Sequence, residues 1–366
     1  MIDFSLLPDG GLAWLDASGP ESHLVLSTRA RLARNLRGCS FPTRSSPTER
    51  EDALDRILEA ARATRPLDAA AVFRLEGLGH DDRLRLHERH LVSRELAGLE
   101  GEHAVRPAAA LIAGGSVGAM VNEEDHLRLQ GLASGLALEA VYREVDRLDT
   151  ELGQRLPYAF HPEFGYLTSC PTNVGTGLRA SVLIHLPGLV LTKEITKVLQ
   201  GLGQVGLTFR GLYGEGSEVV GNLFQLSNQT TLGRTERELL DHLGKMVRQV
   251  IAYEEEARAV LLRDAPSVIE DKVWRAYGLL RHARSLSFEE AMNLLSGVRL
   301  GVGTGLIREV GVYALNKLLI HTQPAHLAAQ TGLGLGDAEL PRRRAAYVRG
   351  VLAEEAGRRG GGPEPG

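Results

Sequence analysis

Hydrophobic and polar positions along the chain change period several times, and each change marks an element. Ser46-Pro-Thr-Glu49 has the spacing of a capping box with proline just inside the helix start, which predicts a helix over 47–63. A second helix is predicted over 81–97, carrying His87 and His90. Residues 107–121 read as extended segments broken at Gly114-Gly115. His126, Arg128 and Gln130 alternate with Leu127, Leu129 and Gly131, the pattern of a strand with one polar face. A helix over 134–152, a strand over Ala180–Leu186, a helix over Thr192–Leu202, strands over 205–210 and 218–226, and a long helix over 233–262 follow. Beyond Pro266 the period is helical almost throughout 267–356, with Ser287-Phe-Glu-Glu290 as another capping pattern.

Short strands with hairpin-like spacing and helices between them predict an α+β fold: a largely antiparallel sheet flanked by helices, followed by an all-helical C-terminal domain. The expected boundaries are an irregular lead-in over 1–20, a catalytic-sized domain over 21–258, a helical domain over 259–356 and a disordered Gly/Pro-rich tail over 357–366. A short echo, Val174-Gly-Thr-Gly-Leu178 and Val302-Gly-Thr-Gly-Leu306, is read as shared turn chemistry and not as a repeat.

With 366 residues and 43% hydrophobic composition the chain can bury a sizeable core, and two domains are expected. A net charge of −4 argues against a nucleic-acid partner. No apolar run reaches the roughly 18–20 residues that cross a bilayer. The start carries acids at Asp3 and Asp9 and no basic residue ahead of its short apolar run, so no secretory signal is read and a cytoplasmic location is expected. Two cysteines, Cys39 and Cys170, do not make a disulfide framework. Of the 42 basic residues only Lys193, Lys197, Lys245, Lys272 and Lys317 are lysine. Guanidinium forks bind phosphate at two points where an ammonium cannot, but so many arginines also fit a GC-rich genome, so each must be argued from its setting.

No phosphate-binding loop of the Gly-Lys-Ser/Thr type is present, since Gly244-Lys245 is followed by Met246, and no His-Arg-Asp catalytic loop occurs. A nucleotide would have to be held in another way. Arg29, Arg31, Arg128, Arg179 and Arg210 could supply the several fixed positive forks a triphosphate needs. Cys170-Pro-Thr-Asn-Val-Gly-Thr-Gly-Leu-Arg179 and Arg210-Gly-Leu-Tyr-Gly-Glu-Gly216 are glycine-rich turns whose N–H groups could face an anion. Asn122-Glu-Glu-Asp-His126 sets three acids beside Arg128.

In this order the segments resemble the phosphagen (guanidino) kinase family, and within it the bacterial protein-arginine kinases. Those that carry the resemblance are Ser27 through Asn35 with Phe41-Pro42, Val121 through Arg128, Cys170 through Ser181, Arg210 through Glu215, and Ser227-Asn-Gln-Thr-Thr-Leu-Gly233. The family's small-guanidine kinases carry a helical domain ahead of the first arginine segment, which here begins at Ser27. The absence of that lid, with the added helical C-terminal domain, points to an arginine still attached to a protein.

The resemblance implies transfer of the γ-phosphoryl group of ATP to a guanidinium, with Mg²⁺ carried on the phosphates and waters and no protein ligand named for it. It implies Glu124 and Glu215 as the carboxylates that orient and deprotonate the guanidinium, the general base being either, with Glu124 favoured. Cys170 matches the family's reactive cysteine, whose thiolate would steady the substrate cation beside the hydroxyls of Ser169 and Thr172. The ATP site would comprise Ser27, Thr28, Arg29, Ala30 and Arg31; His90 and Arg128; Arg179 and the main chain of Ala180, Ser181, Val182 and Leu183; and Arg210, Gly211, Leu212, Tyr213, Gly214 and Glu215. A C-terminal Arg-Asp-x-x-Arg-Ala phosphoarginine motif is degenerate here, reading Leu340-Pro-Arg342-Arg343-Arg344-Ala345. Expected partners are a second copy of the chain, a zinc-binding activator protein, a heat-shock repressor and a Clp ATPase, in stress response and protein quality control. A kinase for free arginine or another small guanidine, and a phosphoarginine-binding adaptor, are the alternative readings.

Overall fold

The computed structural model describes residues 2–7, 11–99, 105–212, 219–331 and 339–360. Its centre is an eight-stranded sheet, antiparallel at every pairing, built from β1 (Val25–Arg34), β2 (Ala71–Arg74), β3 (Ala110–Gly114), β4 (Val117–Val121), β5 (Leu127–Ser134), β8 (Leu178–His185), β9 (Leu207–Arg210) and β10 (Leu223–Asn228). The spatial order is β2-β3-β4-β5-β1-β8-β10-β9, so β1 and β8 are central. A separate hairpin pairs β6 (Phe160–His161) with β7 (Gly165–Tyr166). The expected α+β class with a largely antiparallel sheet is what forms.

Strand alternation sorts the two faces. Ala30, Leu32, Leu129, Ala180 and Val182 point to one side and pack under α1 (Pro47–Arg62), α3 (Leu138–Gly153) and α6 (Glu236–Asp264). The capping box forms as read: Ser46 Oγ accepts from Glu49 N at 3.2 Å, and Glu49 Oε2 accepts from Ser46 N at 2.8 Å. On this side Arg34 is buried against Asp149 at 2.6 Å and lies 3.5 Å over the Tyr166 ring, which ties β1 to α3.

The other face is covered only at its ends. At one end α2 (His80–Glu88) and the N-terminal residues pack on Leu111 and Met120. At the other, Leu26, Leu183 and Leu223 enter a second core made by α7 (Pro266–His282), α8 (Phe288–Gly303), α9 (Val312–His321) and α11 (Leu340–Gly360). The helical C-terminal region therefore packs directly on the sheet. Between α6 and this bundle, α4 (Pro187–Leu191) is held by Glu254, which accepts from the Gly188 and Leu189 N–H groups at 2.8 and 2.9 Å. α5 (Ile195–Gln204) and α10 (Pro324–Thr331) complete the described helices.

Several expected boundaries move. The predicted 81–97 helix ends at Glu88, because His90 takes a left-handed backbone (φ 60) that no helix continues through. The described part of the lead-in holds short turns of 3₁₀ helix at Phe4–Leu6 and Ala13–Leu15, and Trp14 and Leu15 are buried against Ile320 of α9. The predicted 192–202 helix begins only at Ile195, after Lys193 takes a left-handed backbone (φ 64), and a short helix that was not expected, α4, precedes it. The strand predicted from 218 begins at Leu223. α11 continues to Gly360, past the expected end at 356, and residues 361–366 lie outside the described ones.

Candidate active site

The uncovered middle of that second sheet face is floored with arginine. Arg29 and Arg31 stand two residues apart on β1 and so share a face. The register sets Arg31 opposite Arg179 of β8 and opposite Gln130 of β5, while Arg29 faces Ser181. Arg128 lies opposite Ala33, and Arg210 opposite Gln225. The result is a cavity of about 560 Å³ lined by Arg29, Arg31, Arg128, Arg179 and Arg210 together with His90, Glu124 and Cys170. Residues from 29 to 210 in the sequence thus meet across four strands.

The charges are not neutralised uniformly. Burial, then Arg179 and Arg128, push the Arg29 guanidinium down to about 10. Burial, then Arg29, Arg128 and Arg179, hold Arg31 well below its usual value. Arg29 donates to a neutral partner, Gln225 Oε1, at 3.1 Å. Burial also works against charged Arg128, but Glu123, Asp125 and Glu124 outweigh it and hold that guanidinium above its usual value. Its Nη1 lies 2.5 Å from Glu123 and its Nη2 3.1 Å from Glu124. One side of the cavity is therefore a paired cation and the other a crowd of like charges. Crowded half-buried guanidinium groups fit a polyphosphate, which would relieve their repulsion.

Glu124 sits in a turn fixed on both sides. Asn122, left-handed at φ 55, donates through Nδ2 to Arg50 O and Ala108 O, each at 2.9 Å. Asp125 Oδ1 accepts from Asn35 Nδ2 at 2.6 Å and from Ser169 N at 2.7 Å, and Ser169 Oγ donates to Glu124 O at 2.7 Å. One buried aspartate thus joins the end of β1, the acidic turn and the residue before Cys170. Burial pushes the Glu124 carboxyl above the usual glutamate range, opposed by Arg128 and reinforced by Asp125 and Glu123.

Cys170 Sγ lies 3.0 Å from Thr172 Oγ1. The loop after it needs its glycines. A Cβ at Gly177 (φ 66) would meet Ala33 O at 2.6 Å, and one at Gly175 (φ 113) would meet Thr231 O at 2.8 Å. The Ser227–Gly233 segment supports this loop: Thr231 Oγ1 donates to Val174 O at 2.7 Å, and Asn228 Oδ1 accepts from Ala180 N at 2.8 Å. His90 closes one wall, with its ring edge-on to Trp14 at 5.3 Å. Burial, then Arg29 and His87, keep this imidazole neutral.

Some sequence-level expectations do not hold. Ala180, Ser181, Val182 and Leu183 cannot offer main-chain donors to phosphate, because β8 is paired on both sides and the Ala180 N–H is taken by Asn228. Ala30 and Val182 are core residues. Ser27 is buried, and Thr28 Oγ1 bridges Gly135 O and Ala137 N at the start of α3, so neither lines the cavity. Gly211 and Leu212 are buried, Leu212 in the C-terminal core, while Tyr213, Gly214 and Glu215 lie outside the described residues. In the degenerate C-terminal motif, Arg342 and Arg343 are exposed and Arg343 pairs with Glu339 at 2.8 Å. Arg344 points inward, donating to Thr322 O and Leu286 O at 2.8 and 2.9 Å, and Ala345 is core, so the three arginines do not share one surface. Glu123, Asp125, Gln225, Arg94 and Arg106 also stand in or beside the cavity without having been assigned a role. The first two lay inside a recognised segment, whereas Arg94 and Arg106 carry no local signal.

Comparison with known proteins gives the family. Residues 54–257 match the family model of the ATP:guanido phosphotransferase C-terminal catalytic domain, and residues 266–360 match that of the protein-arginine kinase McsB C-terminal domain. A protein-arginine kinase from Symbiobacterium thermophilum is 46% identical over 347 residues, which is 93% of this chain and 96% of the relative. One from Brevibacillus brevis is 43% identical over 338 residues, 92% of this chain and 94% of the relative. Among solved structures, a lombricine kinase superposes with a TM-score of 0.57 at 25% identity, covering 67% of this chain and 71% of its own. A duplicated taurocyamine kinase from Schistosoma mansoni, with bound transition-state-analogue components, gives 0.59 at 28% identity over 70% of this chain and 35% of its own.

Proposed function

We propose a division of labour among the cavity residues from the premise that this chain belongs to the ATP:guanido phosphotransferase family and, within it, to the protein-arginine kinases. Such a kinase moves the γ-phosphoryl group of ATP to an arginine side chain of a protein. A P–N bond forms, the bond from the γ-phosphorus to the bridging oxygen breaks, and the guanidinium gives up a proton.

Arg29, Arg31, Arg179 and Arg210 grip the ATP phosphates, and Arg128 spans the phosphates and the acidic turn. A guanidinium is a poor nucleophile, since its lone pairs are delocalised, so one nitrogen must be fixed in line with phosphorus. Glu124 accepts hydrogen bonds from the target guanidinium and takes its proton. A carboxyl pushed up by burial is a better base than an ordinary surface glutamate. Cys170, with Thr172 beside it, contacts the guanidinium as well. Glu215 is assigned as the orienting carboxylate on resemblance alone. Mg²⁺ bound to the phosphates would neutralise charge building on the transferred group.

The observation that carries the reading is the meeting of five arginines, Glu124 and Cys170 in one cavity. We further carry as proposals a catalytic domain over 21–258 with a helical domain over 259–356, a homodimer, and a cytoplasmic role in stress response and protein quality control. An activator protein that binds zinc, a heat-shock repressor and a Clp ATPase remain proposed partners. No described helix is long and apolar enough to cross a membrane.

Phosphoarginine mass spectrometry at neutral pH, after incubation of casein with Mg-ATP, tests the reaction. Wild type should yield acid-labile phosphoarginine and Glu124→Gln almost none. Acid-stable phosphoserine alone, or strong saturable ADP release with free L-arginine and none with casein, would sink the assignment.

A further inference from the structure

Two contacts from the C-terminal helices converge on the wall that holds His90. The first runs through Glu88, the last residue of α2 and two positions before His90. Glu88 is buried at the start of α10, where its carboxylate accepts from the Ala325 and His326 N–H groups at 3.1 and 3.2 Å and lies 2.6 Å from His326 Nδ1. Arg89 Nε donates to His326 Nε2 at 3.0 Å. That donor fixes the tautomer: Nε2 must accept, so Nδ1 carries the hydrogen and donates to Glu88. Burial, then Arg89 and Arg85, push His326 down to about 3, which keeps it neutral in this role.

The second contact runs through α9. Asn316 Nδ2 donates to Leu15 O at 2.8 Å, and Ile320 packs on Trp14 and Leu15. Trp14 in turn holds the His90 ring edge-on at 5.3 Å. His90 has a strained left-handed backbone, which persists only where the surroundings enforce it. Its hold comes from residues more than two hundred positions away in the chain.

We propose that Glu88 and His326 are positioning residues for nucleotide binding: their contact lets the C-terminal helices hold the His90 wall of the cavity in place. The proposal rests on the reading that His90 meets the nucleotide. Two positions apart, a buried carboxylate that shifts moves the backbone that presents the imidazole. In the proposed reaction the target guanidinium is handled by Glu124 and Cys170, which stand on other segments than the one that presents His90, so loosening this wall should weaken ATP binding before it slows chemistry.

The test is steady-state kinetics on full-length protein with casein as acceptor, comparing wild type, His326→Phe, His326→Asn and His90→Ala. Asparagine retains a donor at the place of Nδ1, whereas phenylalanine retains none. His326→Phe should raise the KM for ATP about tenfold, with kcat and the KM for casein within about twofold, and His326→Asn should restore most of the ATP affinity. A parallel titration uses Trp14 emission in a Trp274→Phe background, and its ATP midpoint should shift by the same factor. Three results would overturn the proposal. They are an unchanged KM for ATP in His326→Phe, a uniform loss of kcat, both KM values and thermal stability in both His326 variants, or failure of both to fold. If His90→Ala leaves the KM for ATP unchanged, the reading of His90 as a nucleotide contact fails instead, and the emission midpoint identifies which of the two has failed.

Discussion

Arg128 and Glu124 face each other at 3.1 Å, one at the start of β5 and the other in the turn that leads into it. The guanidinium so held lines the cavity together with Glu124, where under the proposed reading it would touch both phosphate and the base. Glu124→Gln keeps the shape and one acceptor but removes the base. Turnover should fall by about 10²–10⁴-fold, the usual contribution of a positioned proton acceptor. ATP affinity should change little, because the arginine clamp is intact. Rapid-quench measurement of phosphoarginine, with ATP binding measured separately, checks both. Near-normal turnover would remove Glu124 from its role.

The pH profile follows from the same residue. Burial raises the Glu124 carboxyl above the ordinary glutamate value, and the base must be ionised to work. The acid limb of kcat/KM should therefore lie above pH 4.5, with activity lost as pH falls through the raised value. The stability effect has the opposite sign, since a raised carboxyl favours the protonated form in the folded state. Ionised Glu124 thus costs stability above the unfolded value, and Glu124→Gln should melt at or above wild type at pH 7. A variant that is both inactive and less stable would contradict this.

Arg31 makes a third case. It stands among Arg29, Arg128 and Arg179, and burial with their repulsion holds it well below its usual value. Arg31→Met removes an ill-solvated charge and leaves a side chain of similar reach. Without nucleotide, thermal unfolding should occur at the wild-type temperature or above it. With ATP at about a hundred times the wild-type Kd, wild type should gain about 2.7 kcal/mol and the variant almost none. Differential scanning calorimetry with and without Mg-ATP separates the two effects.

Much of the fold was readable because period and caps act locally. Ser46 and Glu49 form their box within four residues, and the alternation through Arg128 and Gln130 survives as β5. The arginines were readable as a set only through their segments, since nothing local says that Arg29 and Arg210 share a cavity. The sheet order does that, through β1-β8-β10-β9. What was misread depended on tertiary context. A helical pattern continues past Glu88, but the backbone turns left-handed at His90 because α10 and Trp14 capture that segment. The strand over Ala180–Leu186 is legible, but the resemblance also implies main-chain donors from Ala180–Leu183 to phosphate, and pairing on both sides consumes that main chain. Arg344 fits part of a degenerate phosphoarginine motif, and its side chain serves two carbonyls inside the bundle.

Acid stability offers the last test. His126 is fully buried at the end of the acidic turn, where its Nδ1 accepts from Leu36 N at 3.3 Å and its ring lies edge-on to Phe41 at 6.4 Å. Burial, then Arg56, push it from 6.5 down to about 4. In the unfolded chain this imidazole takes a proton below its ordinary value, while the folded protein refuses one until about pH 4. Stability is therefore whole above pH 6.5 and drains as pH falls toward 4, by about 3 kcal/mol from this group alone. His90 and His326 are also held down by burial, so wild type should lose more than one histidine's share. His126→Asn keeps an acceptor for Leu36 but cannot be protonated. It should be less stable than wild type at pH 7, because the packing with Phe41 is lost, and the gap should narrow at pH 4.5. Urea unfolding at the two pH values measures the difference. A gap that stays constant would mean that the His126 charge plays no part in acid unfolding.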